Sequence, residues 1–134
     1  MGLFTVRTIV PVAVTAAILA TAPAGAATAG RPGLPKPPDG AVQLTHHSRS
    51  GVVSASYRIK GTTPRAVARH YRKAFKAHGF SIRYTQNGRG YSNLYMKRPG
   101  TGVTSFVGAG SGRDGKVFFE VCKGTNHLQV DICG

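Results

Sequence analysis

The sequence predicts an α+β domain: an antiparallel sheet in the order β-β-α-β-β-β-β, with a single amphipathic helix packed on one face. Three observations carry this. Polar and apolar residues alternate with period two in AVQLTHH and GVVSASYRIK, and FSIRYTQNGRGYSNLYMKR has one apolar side. One stretch alone, 64–78, switches to the 3.6-residue period of a helix. Glycine-rich and polar clusters separate the alternating runs, as turns do between strands.

The amino end stands apart from that fold. Arg7 is followed by the uncharged run TIVPVAVTAAILA and then by the small residues of TAPAGAATAG, the order of a cleavable secretory signal peptide. The run is shorter than the roughly 20 residues a membrane-spanning helix needs. Cleavage at Ala24-Gly25-Ala26 or Ala27-Thr28-Ala29 divides the chain into a signal at 1–27, a linker at 28–40 and one small domain at 41–134. The linker, GRPGLPKPPDG from Gly30, is rich in proline and glycine and reads as an extended tether with no core of its own. Export makes the protein secreted or periplasmic, and not transmembrane once the signal is removed.

AVQLTHH and GVVSASYRIK form a first hairpin about SRSG. Val42, Leu44 and His46 are expected on one face of its first strand, and Val53, Ala55, Tyr57 and Ile59 on one face of its second. TTPRAVARHYRKAFKAHGF is the helix. Thr63 suits the N-cap, Pro64 the first helical position, and Gly79 the C′ position that ends it. Val67, Tyr71, Ala74, Phe75 and His78 gather on one side at about 100° per residue. A second hairpin, FSIRYTQNGRGYSNLYMKR, is expected to turn at Asn87-Gly88, with Ile82 facing Leu94 and Phe80 facing Met96. GVTSFVGAG and KVFFEVC make a third hairpin across GSGRDG. That loop lacks the GxxxxGK[ST] spacing of a phosphate-binding loop and leads into a strand rather than a helix. HLQVDIC closes the chain as a strand.

Charge sets the class of partner. The chain has 18 lysines and arginines against 4 acids, a net charge of +14. Such an excess attracts polyanions: nucleic acid, anionic lipid headgroups or an anionic cell-wall polymer. On the helix Arg65, Arg69, Arg72 and Lys76 share the side opposite the apolar stripe, with Lys73 at its edge. The pairs Arg65/Arg69, Arg69/Lys73 and Arg72/Lys76 are like-charged at i, i+4, where mixed signs stabilise a helix and like signs cost a few tenths of a kcal/mol. These five residues are the expected anion-binding face. Arg83, Tyr91, Tyr95 and Lys97 interleave rings and cations on the polar side of the second hairpin, a pattern suited to stacking on bases or sugar rings.

Catalytic signals are sparse. The mature acids are Asp39, Asp114, Glu120 and Asp131. Glu120 with His127 and an arginine is the one combination that could serve acid–base chemistry on a phosphodiester. The histidines have no H-x₃-H spacing, and Cys122 and Cys133 lack CxxC spacing, so no metal site and no cofactor are expected. In an exported protein these two thiols are expected to form a disulfide. An ideal terminal hairpin opposes this: pairing Phe119 with Ile132 and Val121 with Val130 would hold the cysteines about 13 Å apart, beyond the reach of about 7 Å for a bond, so the bond requires the last residues to curl out of the sheet or a turn displaced to His127-Leu128 that sets the cysteines opposite one another. The expected function is an exported, non-enzymatic domain that binds an anionic polymer or surface. The alternatives are a small secreted hydrolase such as a nuclease using Glu120 and His127, and a module that docks an envelope protein through an open sheet edge.

Overall fold

The computed structural model describes residues 33–49 and 51–125. The signal peptide, His127, Asp131, Cys133 and the terminal strand read in HLQVDIC lie outside the described residues.

The elements follow in the order β1 (Val42–Arg49), β2 (Val52–Lys60), α1 (Pro64–Ala77), β3 (Ser81–Gly88), β4 (Tyr91–Lys97), β5 (Thr104–Ser111) and β6 (Lys116–Gly124). A 3-10 turn at Arg113–Gly115 joins the last two. The six strands form one antiparallel sheet, β1-β2-β6-β5-β4-β3, with α1 packed against β3, β4, β5 and β6. Four strands run as a meander from β3 to β6. The one long-range join sets β2 beside β6, Tyr57 opposite Phe119 and Ile59 opposite Val117.

The alternation expected in β2 places Ala55, Tyr57 and Ile59 under the helix layer, all buried. Val117, Phe119 and Val121 of β6, Val107 and Ala109 of β5, and Leu94 and Met96 of β4 complete that floor. A chain of rings runs through it. Tyr57 stacks on Phe119 at 5.1 Å, Phe119 meets Tyr71 at 5.8 Å, and Phe75 meets Phe80 at 5.0 Å. Each such pair adds about 0.5–1.5 kcal/mol beyond the area it buries.

Helix α1 begins and ends where its residues require. The Thr63 hydroxyl accepts the Ala66 N–H at 3.1 Å, and Pro64 opens the first turn. At the other end Gly79 adopts φ +84°, which costs a residue with a Cβ about 1–2 kcal/mol. Phe80 N–H reaches Phe75 O and Gly79 N–H reaches Lys76 O, the paired bonds of a Schellman cap. The Phe75–Phe80 ring contact seals it. The buried stripe is Pro64, Val67, Ala68, Tyr71 and Phe75. Ala68 belongs to it, whereas Ala74 is only half-buried and His78 is exposed, because the helix has already ended before His78.

The proline-rich segment lies against this layer. Leu34 and Ala41 join the core cluster, Lys36 O is hydrogen-bonded to His70 Nε2 at 2.8 Å, and Lys123 Nζ donates to Gly33 O at 3.0 Å.

Two registers differ from expectation, both through bulges on edge strands. In β1 the register shifts between Gln43 and Thr45. Val42 therefore pairs with Arg58 on the open face while His46 pairs with Ala55 on the helix side, so these two do not share a face. In β3 the shift falls between Ile82 and Tyr84, at Arg83. Ile82 then pairs with Met96, and Thr85 with Leu94. The turn is Arg89-Gly90 rather than Asn87-Gly88. Gly90 supplies its positive φ of +80°, and Gly88 stays in the strand beneath the Tyr91 ring, where no Cβ would fit. A bulge on each edge also blunts the sheet against strand addition by a partner.

The other arm of the terminal hairpin expected for β6 lies outside the described residues. Both sides of β6 are occupied, by β2 along Val53–Lys60 and by β5 along Thr104–Ser111. Phe119, read as the partner of Ile132, lies between Tyr57 and Ala109, and Val121, read as the partner of Val130, lies between Ala55 and Val107. Cys122 itself lies in β6 on the face away from α1, fully buried beside Phe106.

Candidate anion-binding face

The five helix cations all face outward. Arg65, Arg69, Arg72, Lys73 and Lys76 are exposed along α1, a stripe about 16 Å long at 1.5 Å per residue. Among the described residues there is one ion pair, Lys36–Asp39 at 3.7 Å, so none of the five has a carboxylate partner. The first turn of α1 also lacks an acid and instead carries Arg65, at the positive end of the helix dipole. Like-charged neighbours and a cation at the N-terminus both work against the helix. The caps and the buried face offset that cost.

This stripe borders two hollows. The first, of about 350 Å³, lies between α1 and the β3–β4 hairpin, with Arg65, Arg69 and Arg72 on one wall and Thr85, Asn87 and Ser92 on the other. The second, of about 530 Å³, runs along the outer side of the helix past Arg69, His70, Arg72, Lys73 and Lys76. Arg69 and Arg72 border both. The hairpin wall was not foreseen from the sequence. With the turn placed at Asn87-Gly88, Ser92 shares the side of Leu94 by alternation, but Thr85 and Asn87 fall on the opposite one. The observed register, with the turn at Arg89-Gly90, brings Thr85 and Asn87 onto the side of Leu94 and Ser92.

The aromatic face is a separate surface. Tyr95 lies between Tyr84, at 6.0 Å, and Phe106, at 4.7 Å, on the side of the sheet away from α1. Tyr91 and Lys97 share that side by register, whereas Arg83 occupies the β3 bulge and pairs with neither. Tyr84 and Phe106 were not anticipated as members; alternation with Tyr95 and Cys122 would have found them, given the register. The expected stacking residues and the expected anion-binding residues are thus separated by the thickness of the sheet.

Glu120 also lies on the open face, opposite Ser56 in β2 and Gly108 in β5. Burial pushes its carboxyl above the ordinary value, and His47 on β1 pulls it partly back. Among the described residues no hydrogen bond or ion pair joins Glu120 to a histidine or an arginine, and its expected partner His127 lies outside them. At the end of α1 a smaller hollow of about 240 Å³ is lined by Phe80, Arg98 and Lys123, with Arg98 centred 4.8 Å from the Phe80 ring. Burial, and then Arg98, lower the Lys123 amine. Among the described residues no group of three or more His, Cys, Asp or Glu is placed to hold a metal ion, and no helix is long and apolar enough to cross a membrane.

Compared with protein-family models, with curated proteins and with solved structures, the chain matches none.

Proposed function

We propose that this is an exported binding domain that engages an anionic polymer through the outer face of α1. The observation that carries the reading is the row Arg65, Arg69, Arg72, Lys73 and Lys76, all exposed and none with a carboxylate partner among the described residues. A solvated face of ordinary kind interleaves acids for the sake of the helix. Here the cations stand unneutralised, and the two hollows beside them offer an extended ligand a place to lie. Delivery through a cleaved signal peptide and closure of the chain by a Cys122–Cys133 bond belong to the same reading, as do nucleic acid, anionic lipid and cell-wall polymer as the ligands of matching charge.

The test is retention of the mature protein on heparin and polyphosphate resins. Elution is expected to move steeply with salt, because binding releases condensed counterions. Arg69→Glu with Lys76→Glu should remove most of the retention. Retention that is absent, or indifferent to salt, rejects the reading.

A further inference from the structure

We infer that the cleft between α1 and the β3–β4 hairpin seats a phosphate group of a phosphodiester chain, so that the polymer is recognised by the shape of its phosphates as well as by charge. This deepens the reading of α1 as the binding face and rests on it.

The cleft presents hydrogen-bond donors from two facing walls. Arg65, Arg69 and Arg72 supply guanidinium forks from the helix, and no carboxylate lines the space. On the hairpin wall Ser92, 2% exposed, donates its hydroxyl to Asn87 Oδ1 at 2.5 Å. That bond uses the acceptor oxygen of Asn87 and fixes its side chain, leaving the two amide N–H groups as what Asn87 can offer a ligand. Ala68 and Leu94 contribute apolar surface to the same lining. A tetrahedral group directs oxygens toward both walls at once. A planar carboxylate accepts chiefly in its own plane and can satisfy only one fork well.

The size and position of the cleft point to a chain rather than a lone ion. At about 350 Å³ it reaches the lower range of sites that enclose small organic ligands, so a phosphate enters together with the atoms joined to it. Arg69 and Arg72 form the ridge between this cleft and the hollow beside Lys73 and Lys76. Successive phosphates of one backbone can therefore lie on either side of the same two guanidiniums.

The experiment measures binding of the mature protein, at fixed moderate salt, to three probes of equal charge: a single-stranded oligonucleotide, poly(glycerol phosphate) and polyglutamate. Asn87→Ala is expected to weaken binding to a phosphodiester probe about tenfold, the worth of a hydrogen bond to a charged group, while polyglutamate changes less than about twofold. The phosphodiester that loses affinity identifies the natural source. Equal affinity of Asn87→Ala and wild type for both phosphodiesters overturns the inference, and so does an equal loss on polyglutamate. Should Asn87→Ala disturb the hairpin, Asn87→Gln, which keeps the amide but displaces it by one methylene, gives the same comparison. If Arg69→Glu/Lys76→Glu abolishes binding to all three probes while Asn87→Ala leaves all three affinities unchanged, the α1 reading stands and the cleft falls. Failure of wild type to bind any of the three discards both.

Discussion

Tyr71 sits on the inner side of α1 with none of its surface exposed, its ring 5.8 Å from Phe119 and 6.3 Å from Phe75. Its hydroxyl is buried and has no hydrogen-bond partner among the described residues. An unbonded buried hydroxyl costs about 1–3 kcal/mol relative to its hydrated state in the unfolded chain. Tyr71→Phe removes that oxygen and keeps every ring contact, so it should stabilise the domain by about 1–2 kcal/mol. A gain of 1 kcal/mol raises the midpoint of a domain this size by about 4–8 °C. Alkali provides an independent check. Burial, with Tyr57 as a second cause, pushes the Tyr71 phenol far above its ordinary value of 10.0. A phenol raised in the folded state contributes stability that is fully present below the unfolded value and is lost as pH climbs toward the folded one. Above pH 10 the unfolded chain gives up this proton and the folded chain does not, so wild type should lose about 1.4 kcal/mol per pH unit that Tyr71→Phe does not. Comparing the two proteins at each pH cancels the effect of lysines that lose charge in the same range. The assay is urea unfolding followed by circular dichroism at pH 7 and at pH 10.5. A variant less stable than wild type at pH 7, or a gap that fails to widen in alkali, would refute the argument that the hydroxyl is unpaired.

The remaining predictions concern the open face, the chain end and the salt response. The Glu120 carboxyl is raised by burial, so its contribution is present in acid and lost as pH rises; Glu120→Gln should match wild type near pH 4 and melt higher than wild type at pH 7, and a lower midpoint at pH 7 contradicts this. The same variant addresses nuclease activity: cleavage of RNA or DNA that is absent, or equal in both proteins, rejects a role for this carboxylate. Denatured but unreduced mature protein should show no thiol that reacts with maleimide, and reduction should lower stability by about 2–3 kcal/mol for so short a loop; two reactive thiols before reduction would dispose of the Cys122–Cys133 bond. Removing Arg69 and Lys76 as phosphate contacts should flatten the logarithmic salt dependence of nucleic-acid binding by about 0.7–0.9 per residue, and an unchanged slope would place the contacts elsewhere.

Much of the site was legible in the sequence because a helix is a local structure. The spacing of Arg65, Arg69, Arg72 and Lys76 fixes them on one side whatever the rest of the chain does, and Val67, Tyr71 and Phe75 require the other side to be buried. Thr63, Pro64 and Gly79 mark the ends for equally local reasons. Strand faces were legible only where no bulge intervened. Ala55, Tyr57 and Ile59 alternate as expected, but single bulged residues in β1 and β3 reverse everything beyond them, and nothing in the period-two pattern announces a bulge.

By itself, then, the sequence determined the α+β class, the single capped helix, the all-basic stripe on its outer side and the hairpin partners joined by short turns, since each depends on residues a few positions apart. Tertiary structure alone decided that β2 pairs with β6. That pairing fills the edge of β6 that β5 leaves open and sets the buried Cys122 opposite Ser54 on the face away from α1. Only the tertiary structure, too, set α1 on one side of the sheet with Tyr84, Tyr91 and Tyr95 on the other, and brought Asn87 and Ser92 up to the arginines. The physical reason is the same in each case. Antiparallel strands can pair in many registers of similar backbone energy, and the choice falls to contacts between side chains far apart in the chain.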